Sequence, residues 1–99
     1  MIKVTYTSIK TNADSLFFAY DDDLQDLVKN EFIDTGKIID VFSSLSDDEL
    51  IRKENLVFNT ENDFENFKNH EVIMYAEKVR LLYNIHHRID LAIDIVPIS

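Results

Sequence analysis

The stretch of sequence that decides the fold runs from residue 71 to residue 96 and reads EVIMYAEKVRLLYNIHHRIDLAIDIV. Side chains that step alternately by three and four residues form a heptad-like seam in it: Val72, Tyr75, Val79, Leu82, His86, Ile89, Ile93 and Val96. Such spacing is typical of one face of an α-helix. No glycine or proline interrupts it before Pro97, so the pattern predicts one long helix from about residue 71 to about residue 94.

Two alternatives stay open for this stretch. Leu91, Ile93 and Ile95 alternate with small or acidic residues, which also fits a β-strand that joins the N-terminal strands. The first part of the seam has two interpretations as well, because an apolar helical face of this length is either the core of the protein or the interface of a homodimer. The residues concerned are Val72, Tyr75, Val79, Leu82, His86 and Ile89.

At the N-terminus of the chain, the sequence pattern predicts an antiparallel β-hairpin. Segments 2–7 and 16–20 both alternate apolar with polar residues, and turn-forming residues lie between them at 11–14. A period of two is typical of half-buried strands. Because two strands alone are only marginally stable in water, the hairpin must pack on helices.

The middle of the chain predicts shorter helices. One begins at the acidic residues 21–23 and ends at Gly36, the only glycine of the chain, since carboxylates favour a helix N-terminus and glycine closes a helix most easily. Segment 38–45 has the apolar spacing of a second helix, and 46–49 matches a capping box. A third short helix carries Phe64 and Phe67 after a cap at 60–63.

These elements predict an α+β fold: an N-terminal antiparallel hairpin packed on several helices, including the long C-terminal one. The length of 99 residues predicts one domain that spans the whole chain, 1–99. Cysteine is absent, and neither a signal peptide nor an apolar run long enough to cross a bilayer is evident. We therefore expect a soluble cytoplasmic protein that does not bind membranes.

Charge is distributed very unevenly along the chain. Residues 14–65 hold 15 Asp or Glu and four Lys or Arg, so this segment has a net charge of −11. The net charge of the whole chain is −9. Such a field attracts basic surfaces and repels nucleic acid, so we expect no direct binding to DNA or RNA. Carboxylates on neighbouring turns could imitate the phosphate rows of DNA. The candidate phosphate-mimicking residues are Asp21, Asp22, Asp23, Asp26, Asp47, Asp48, Glu49, Glu61, Asp63 and Glu65.

Chemistry-bearing motifs are missing from the sequence. The acidic runs lack the glycine and the spacing of an EF-hand loop. On a helix, His86 and His87 diverge by about 100° and cannot share one ion. No nucleophile elbow or phosphate-binding loop is present. The sequence therefore predicts no catalytic residues, no metal site, no cofactor and no enzymatic activity.

In size, acidity and lack of cysteine, the chain resembles the small inhibitors that phages make against host nucleic-acid enzymes. Within that group it resembles the T-even anti-restriction nuclease family, on the segments FFAYDDDL (17–24) and YNIHHRID (83–90). The resemblance implies a DNA mimic in the host cytoplasm that occupies the DNA-binding surface of a basic host protein or restriction nuclease. The alternative is an inhibitor or antitoxin-type protein that binds a host protein through its apolar C-terminal helix.

Overall fold

The computed structural model describes residues 1–98, which form a four-stranded antiparallel sheet with helices packed against one face. The strands are β1 (Ile2–Lys10), β2 (Ile38–Leu45), β3 (Ile51–Phe58) and β4 (Ile89–Pro97), in the order β2-β3-β1-β4. The helices are α1 (Asp22–Val28), α2 (Glu61–Lys68) and α3 (Glu71–His87), and a π-helical segment, Lys29–Ile33, continues α1. This βαββαβ order, with β1 and β3 in the centre, is the ferredoxin-like arrangement.

The hydrophobic core lies between the sheet and the three helices. Alternate residues of β1, beginning with Ile2 and Val4, face the helices, and the register places Phe58 of β3 opposite Ile2. The core is completed by side chains from β2 and the helical elements: Leu24, Phe32, Ile38, Phe64, Phe67, Ile73 and Ala76. The other face of the sheet has no helix on it among the described residues, so the fold is a two-layer α+β structure, as expected.

The predicted N-terminal hairpin is wrong. Both sides of β1 are occupied, by β3 and by β4, so segment 16–20 has no place beside it and forms no strand. Side chains hold this loop instead: Lys10 Nζ donates to the carbonyl of Ser15 at 2.6 Å, and Arg52 Nη2 donates to the carbonyl of Phe18 at 2.7 Å.

The predicted helix over 38–45 is also wrong, because this segment is strand β2. A bulge between Ile38 and Asp40 shifts its register against β3, and such an extra residue converts alternation into an apparent three-to-four spacing. The predicted capping box that follows is a turn between two strands. In it, Asp48 Oδ1 accepts from Ser46 Oγ at 2.7 Å and from the N–H of Leu50 at 3.1 Å.

The long C-terminal helix ends earlier than predicted. Helix α3 stops at His87, Arg88 adopts a left-handed conformation with φ 55°, and β4 begins directly at Ile89. The alternative reading of this end as a strand is the correct one, since β4 pairs with β1 along its whole length. The helices at 22–28, 61–68 and 71–87 all lie within segments that were expected to be helical.

Candidate functional site

A cavity of about 630 Å³ lies between the helix-facing side of the sheet and α1. Its size is in the range of small-molecule sites. The walls are mainly apolar and aromatic, with a few charged groups among them. The lining residues are Tyr6, Ala19, Tyr20, Gln25, Asp26, Val28, Lys29, Ile33, Val41, Phe42, Ser43, Glu54, Leu56, Phe67 and Arg80.

Arg80 is the polar centre of this cavity. It lies on the buried face of α3 and is 6% exposed, although arginine is almost never buried without partners. Its guanidinium carbon is 5.4 Å from each of three aromatic ring centroids, those of Tyr6, Phe18 and Tyr20. Cation–π contacts with these rings stabilise the charge but do not satisfy the N–H groups.

The carboxylates near Arg80 approach it without forming hydrogen bonds. Arg80 Nε is 3.5 Å from Glu77 Oε2, and Arg80 Nη1 is 3.9 Å from Glu54 Oε1. Both nitrogens are buried, and neither has a hydrogen-bond partner among the described residues. Each nitrogen is thus ion-paired with a carboxylate but makes no hydrogen bond, whereas buried N–H groups are normally hydrogen-bonded.

The two carboxylates are themselves held by other groups. Glu77 Oε1 accepts a 2.6 Å hydrogen bond from the hydroxyl of Tyr20, and Glu54 Oε1 accepts a 3.0 Å bond from Arg52 Nη2. Burial lowers the pKa of Arg52, and the nearby Glu54 opposes that shift. The result is a network of two arginines and two glutamates under the aromatic loop 17–20.

The two tyrosines in this network keep their protons. Burial raises the pKa of Tyr6 to about 12, the charges of Glu77 and Glu54 add to the rise, and Arg80 opposes it. Burial and Glu77 also raise the pKa of Tyr20 above its usual range. The Tyr6 hydroxyl makes no hydrogen bond to any described residue, so at neutral pH it is a free donor that lines the cavity.

The raised pKa of Tyr6 predicts a loss of stability in alkali. A phenol whose folded pKa lies above its unfolded value of 10.0 stabilises the fold below pH 10, and this contribution disappears as pH rises through about 12. Between about pH 9 and about pH 12, we expect the unfolding free energy of the native chain to fall by roughly 2 kcal/mol more than that of Tyr6→Phe. Urea titrations at both pH values measure this difference, and Tyr75→Phe, at an exposed position, should behave like the native chain.

The acidic residues predicted to imitate phosphates lie in three separate places. Asp21 caps α1 by accepting the N–H of Leu24 at 2.9 Å, with Asp22, Asp23 and Asp26 after it, and Asp26 reaches the cavity. The turn that holds Asp47, Asp48 and Glu49 is at the sheet end where β1 finishes, since Lys10 donates to the carbonyl of Leu50. Glu61, Asp63 and Glu65 belong to α2, which follows β3 at the opposite end of the sheet.

Hydrogen bonds give two of these carboxylates local roles. Those from Ser46 and Leu50 lower the pKa of Asp48, and Glu65 pairs with Lys68 at 3.1 Å. The ten residues thus fall into three groups, at the start of α1, in the turn between β2 and β3, and on α2.

The predicted seam is not the buried face of α3. Val72, Tyr75, Val79, Leu82 and His86 are exposed, and only Ile89 is buried, as the first residue of β4. The face that packs on the core carries Ile73, Ala76, Arg80 and Asn84. The seam is therefore not part of the core of this chain. Of its two interpretations, the homodimer interface remains a prediction.

Among residues 1–98, no group of three or more His, Cys, Asp or Glu side chains is arranged to hold a metal ion. In the same part of the chain, no helix combines the length and the apolar character that crossing a membrane requires.

Sequence reasoning missed the cavity and its central residues. Tyr6 belongs to the alternating segment 2–7 that predicted a strand, and no motif indicated a role for Arg80. One indication was present: Arg80 follows Ala76 and Ile73 on a single helical face, so a charged residue interrupts an apolar stripe.

Comparisons with known proteins give similarities to solved structures only. No family model matches the chain, and no curated protein matches it. The whole chain superimposes on 93% of a protein from Deinococcus radiodurans described as a candidate antibiotic biosynthesis monooxygenase, with a TM-score of 0.62 and 11% sequence identity. At that identity, the similarity establishes the shared fold.

These comparisons correct the functional expectations from the sequence. The solved structure named here is described as a candidate monooxygenase, and no family model or curated protein supports a relation to anti-restriction nucleases or DNA mimics. The resemblance to phage-encoded inhibitors was wrong. The expectation of a non-enzymatic inhibitor, whether a DNA mimic or an antitoxin-type protein, was wrong with it, because composition and acidity are shared by many unrelated folds.

Proposed function

We propose that this chain is a small oxygenase-type enzyme whose cavity binds a hydrophobic aromatic compound with an acidic hydroxyl group. The observation that carries the proposal is Arg80, which is buried at an apolar cavity and has two N–H groups that make long ion pairs but no hydrogen bonds among the described residues. Buried donors of this kind favour a ligand oxygen, and the aromatic walls favour a flat apolar ring.

The charged groups of the cavity suit the stabilisation of an aryloxide. Glu54 is partly exposed and lines the cavity, so its carboxylate is the group that takes the hydroxyl proton of the substrate. Tyr6 and Arg80 then donate to the oxyanion that is left. Donors that are fixed in place before the charge develops are the most effective ones, because no reorganisation is needed.

The name of the structural neighbour suggests the reaction that follows. An aryloxide is richer in electrons than its phenol and therefore reacts more readily with dioxygen. 1-Naphthol is a simple example of such a substrate. Its ring carbon opposite the hydroxyl loses a hydrogen and gains one oxygen atom of O2, so that this carbon becomes a carbonyl. The other atom leaves as water with one hydrogen from that carbon and one from the hydroxyl, so 1-naphthol and O2 give 1,4-naphthoquinone and water. The substrate supplies all the electrons.

Tyr6→Phe should weaken binding of 1-naphthol about 10-fold, since one hydrogen bond to a charged oxygen is lost. The substitution removes one oxygen atom and leaves the ring that packs against Arg80. Equilibrium dialysis of 1-naphthol against the native chain and the variant measures the change in affinity.

Naphthalene is the matched control ligand, because it has the same rings and no hydroxyl. The variant should bind it as well as the native chain does. If both proteins bind 1-naphthol and naphthalene equally, the cavity does not recognise a hydroxyl and the proposal fails. Oxygen uptake in the presence of 1-naphthol, measured with an electrode, tests the reaction separately.

A further inference from the structure

Among residues 1–98, no strand pairs with the outer edge of β4, which is nine residues long. Ile98 donates its N–H to the carbonyl of Met1 at 2.9 Å, and Pro97 lies opposite Ile2 in the register. In an antiparallel pair, successive residues direct their backbone groups to opposite sides. The even-numbered residues of β4 therefore bond to β1, and the N–H and C=O groups of Leu91, Ile93 and Ile95 point away from the sheet.

The side chains along this edge are apolar and exposed. Ile93 and Ile95 are on the helix-facing side of β4, yet they are 50% and 53% exposed because no helix extends over them. A groove beside them, between β4 and α3, is lined by Leu81, Ile85 and Leu91. Long, flat, apolar edge strands are normally protected, since they pair with other chains.

Helix α3 adds a second sign that this side of the molecule is covered. Its solvent side carries many exposed apolar residues, including Met74, Leu81, Leu82 and Ile85, with Glu71, Lys78 and His86 among them. An exposed apolar patch of this kind on a helix is typical of an interaction surface. Leu81 and Ile85 are the ones closest to β4, so the helix and the strand form one continuous apolar surface.

We propose that this surface binds a second copy of the chain, by antiparallel pairing of β4 with β4 around a two-fold axis at Ile93. Such a contact is self-complementary, as a two-fold interface must be. It joins two four-stranded sheets into one of eight strands and places the two α3 helices side by side above the paired edges. Backbone groups of Leu91, Ile93 and Ile95 in both copies supply about six hydrogen bonds.

The charges of β4 disfavour the two registers next to this one. With Ile93 opposite its own copy, Asp94 lies opposite Ala92 and Asp90 lies opposite Val96. Shifting the pairing so that Ala92 is central places Asp90 opposite Asp94, and centring on Asp94 places that carboxylate opposite itself. Like charges directly opposite each other destabilise a sheet. Pro97, which has no N–H, ends the row of outward donors at the edge of the overlap.

The other free edge, β2, is less suited to pairing. The bulge between Ile38 and Asp40 interrupts it, and bulges twist an edge away from a straight partner. β4 has no such irregularity against β1. A nine-residue strand is about 30 Å long and a sheet with its helix layer about 20 Å thick. The contact is therefore roughly 600 Å² per subunit, near the 800 Å² or so of a standard interface.

Variants with a single introduced cysteine can test the register of the β4–β4 pairing by disulfide formation, because the native chain has no cysteine. Ile93→Cys places two thiols opposite each other at a Cα separation of about 5.5 Å, which suits a disulfide. Mild oxidation should link most of this variant into a dimer. Ile95→Cys, two residues further on the same face, is the matched control and should stay largely unlinked. No link at position 93, or an equal link at 95, overturns the proposal.

Proline variants test the edge itself. Ile93→Pro removes an outward N–H and keeps the bonds to β1, whereas Leu45→Pro makes the same change on β2. By sedimentation at about 100 µM, we expect the native chain and Leu45→Pro near twice the 11.6 kDa chain mass, and Ile93→Pro as a folded monomer. A monomeric native chain contradicts the proposal, as does a dimer that only Leu45→Pro dissociates. If circular dichroism shows Ile93→Pro to be unfolded, the cysteine pair decides. No residue of β4 lines the cavity near Arg80, so this result is independent of the proposed enzymatic function.

Discussion

Replacing Phe58 with alanine is expected to lower the free energy of unfolding by about 3–5 kcal/mol. Phe58 is 0% exposed, and its ring centroid is 5.2 Å from that of Phe64 and 5.3 Å from that of Phe67. The register also places it between Ile2 of β1 and Ile38 of β2. Alanine would leave a cavity that both α2 and the sheet border, so the neighbouring rings cannot all close in on it.

Phe42→Ala is the matched control on the neighbouring strand. Phe42 is 46% exposed, so its truncation should cost less than about 1 kcal/mol. Urea unfolding followed by circular dichroism measures both values. Because small domains have only about 5–15 kcal/mol of stability, the Phe58 variant should be visibly close to unfolding at room temperature. A smaller loss for Phe58→Ala than for Phe42→Ala would show that the core lies elsewhere.

The sequence predicted the helices better than the strands, and β2 shows why. A helix is determined by neighbours in the sequence, whereas a strand depends on a partner that lies elsewhere in the chain. The apolar residues of 38–45 fit a helical spacing only because the bulge near Ile38 breaks the alternation. What selects a strand is pairing with β3, together with the β-branched residues Ile38, Ile39 and Val41.

The C-terminal stretch shows a different limit of periodicity. The heptad-like pattern correctly indicated a helix over 71–87. The same pattern continues past Arg88 into β4, which is a strand. Apolar residues that recur in a strand can match a helical spacing by coincidence over one or two turns. The exposed residues of the seam also show that an apolar helical face need not be the face that packs within its own chain.

The acidic residues gave the least reliable inference. Asp21 and Asp48 accept hydrogen bonds from backbone N–H groups, which is the ordinary role of carboxylates at helix starts and turns. Net charge describes a field and not a site, so it could not reveal that a buried arginine is the polar centre of a cavity. That arrangement depends on β1, β3 and α3 meeting, and no local pattern encodes it.

Arg80→Met is expected to separate function from stability. Methionine has a similar length and fills the space among the rings of Tyr6, Phe18 and Tyr20. It gives up three cation–π contacts of about 0.5–1 kcal/mol each. It also removes two buried donors that lack hydrogen bonds, each of which costs about 1–3 kcal/mol in the native chain, together with their long ion pairs to Glu54 and Glu77. These terms nearly cancel, and partly exposed Glu54 and Glu77 can be hydrated, so the unfolding free energy should change by less than about 1 kcal/mol.

The same substitution should reduce oxygen uptake with 1-naphthol about 100-fold, because a fixed donor to the developing oxyanion is lost. Arg80→Lys keeps the charge and should retain part of the activity, while Lys78→Met, at an exposed position on the same helix, should leave it unchanged. If Arg80→Met instead unfolds the protein as strongly as Phe58→Ala does, the arginine is a structural residue. Arg80 would then serve to hold the loop 17–20 against the sheet, and its N–H groups would not serve to bind a ligand.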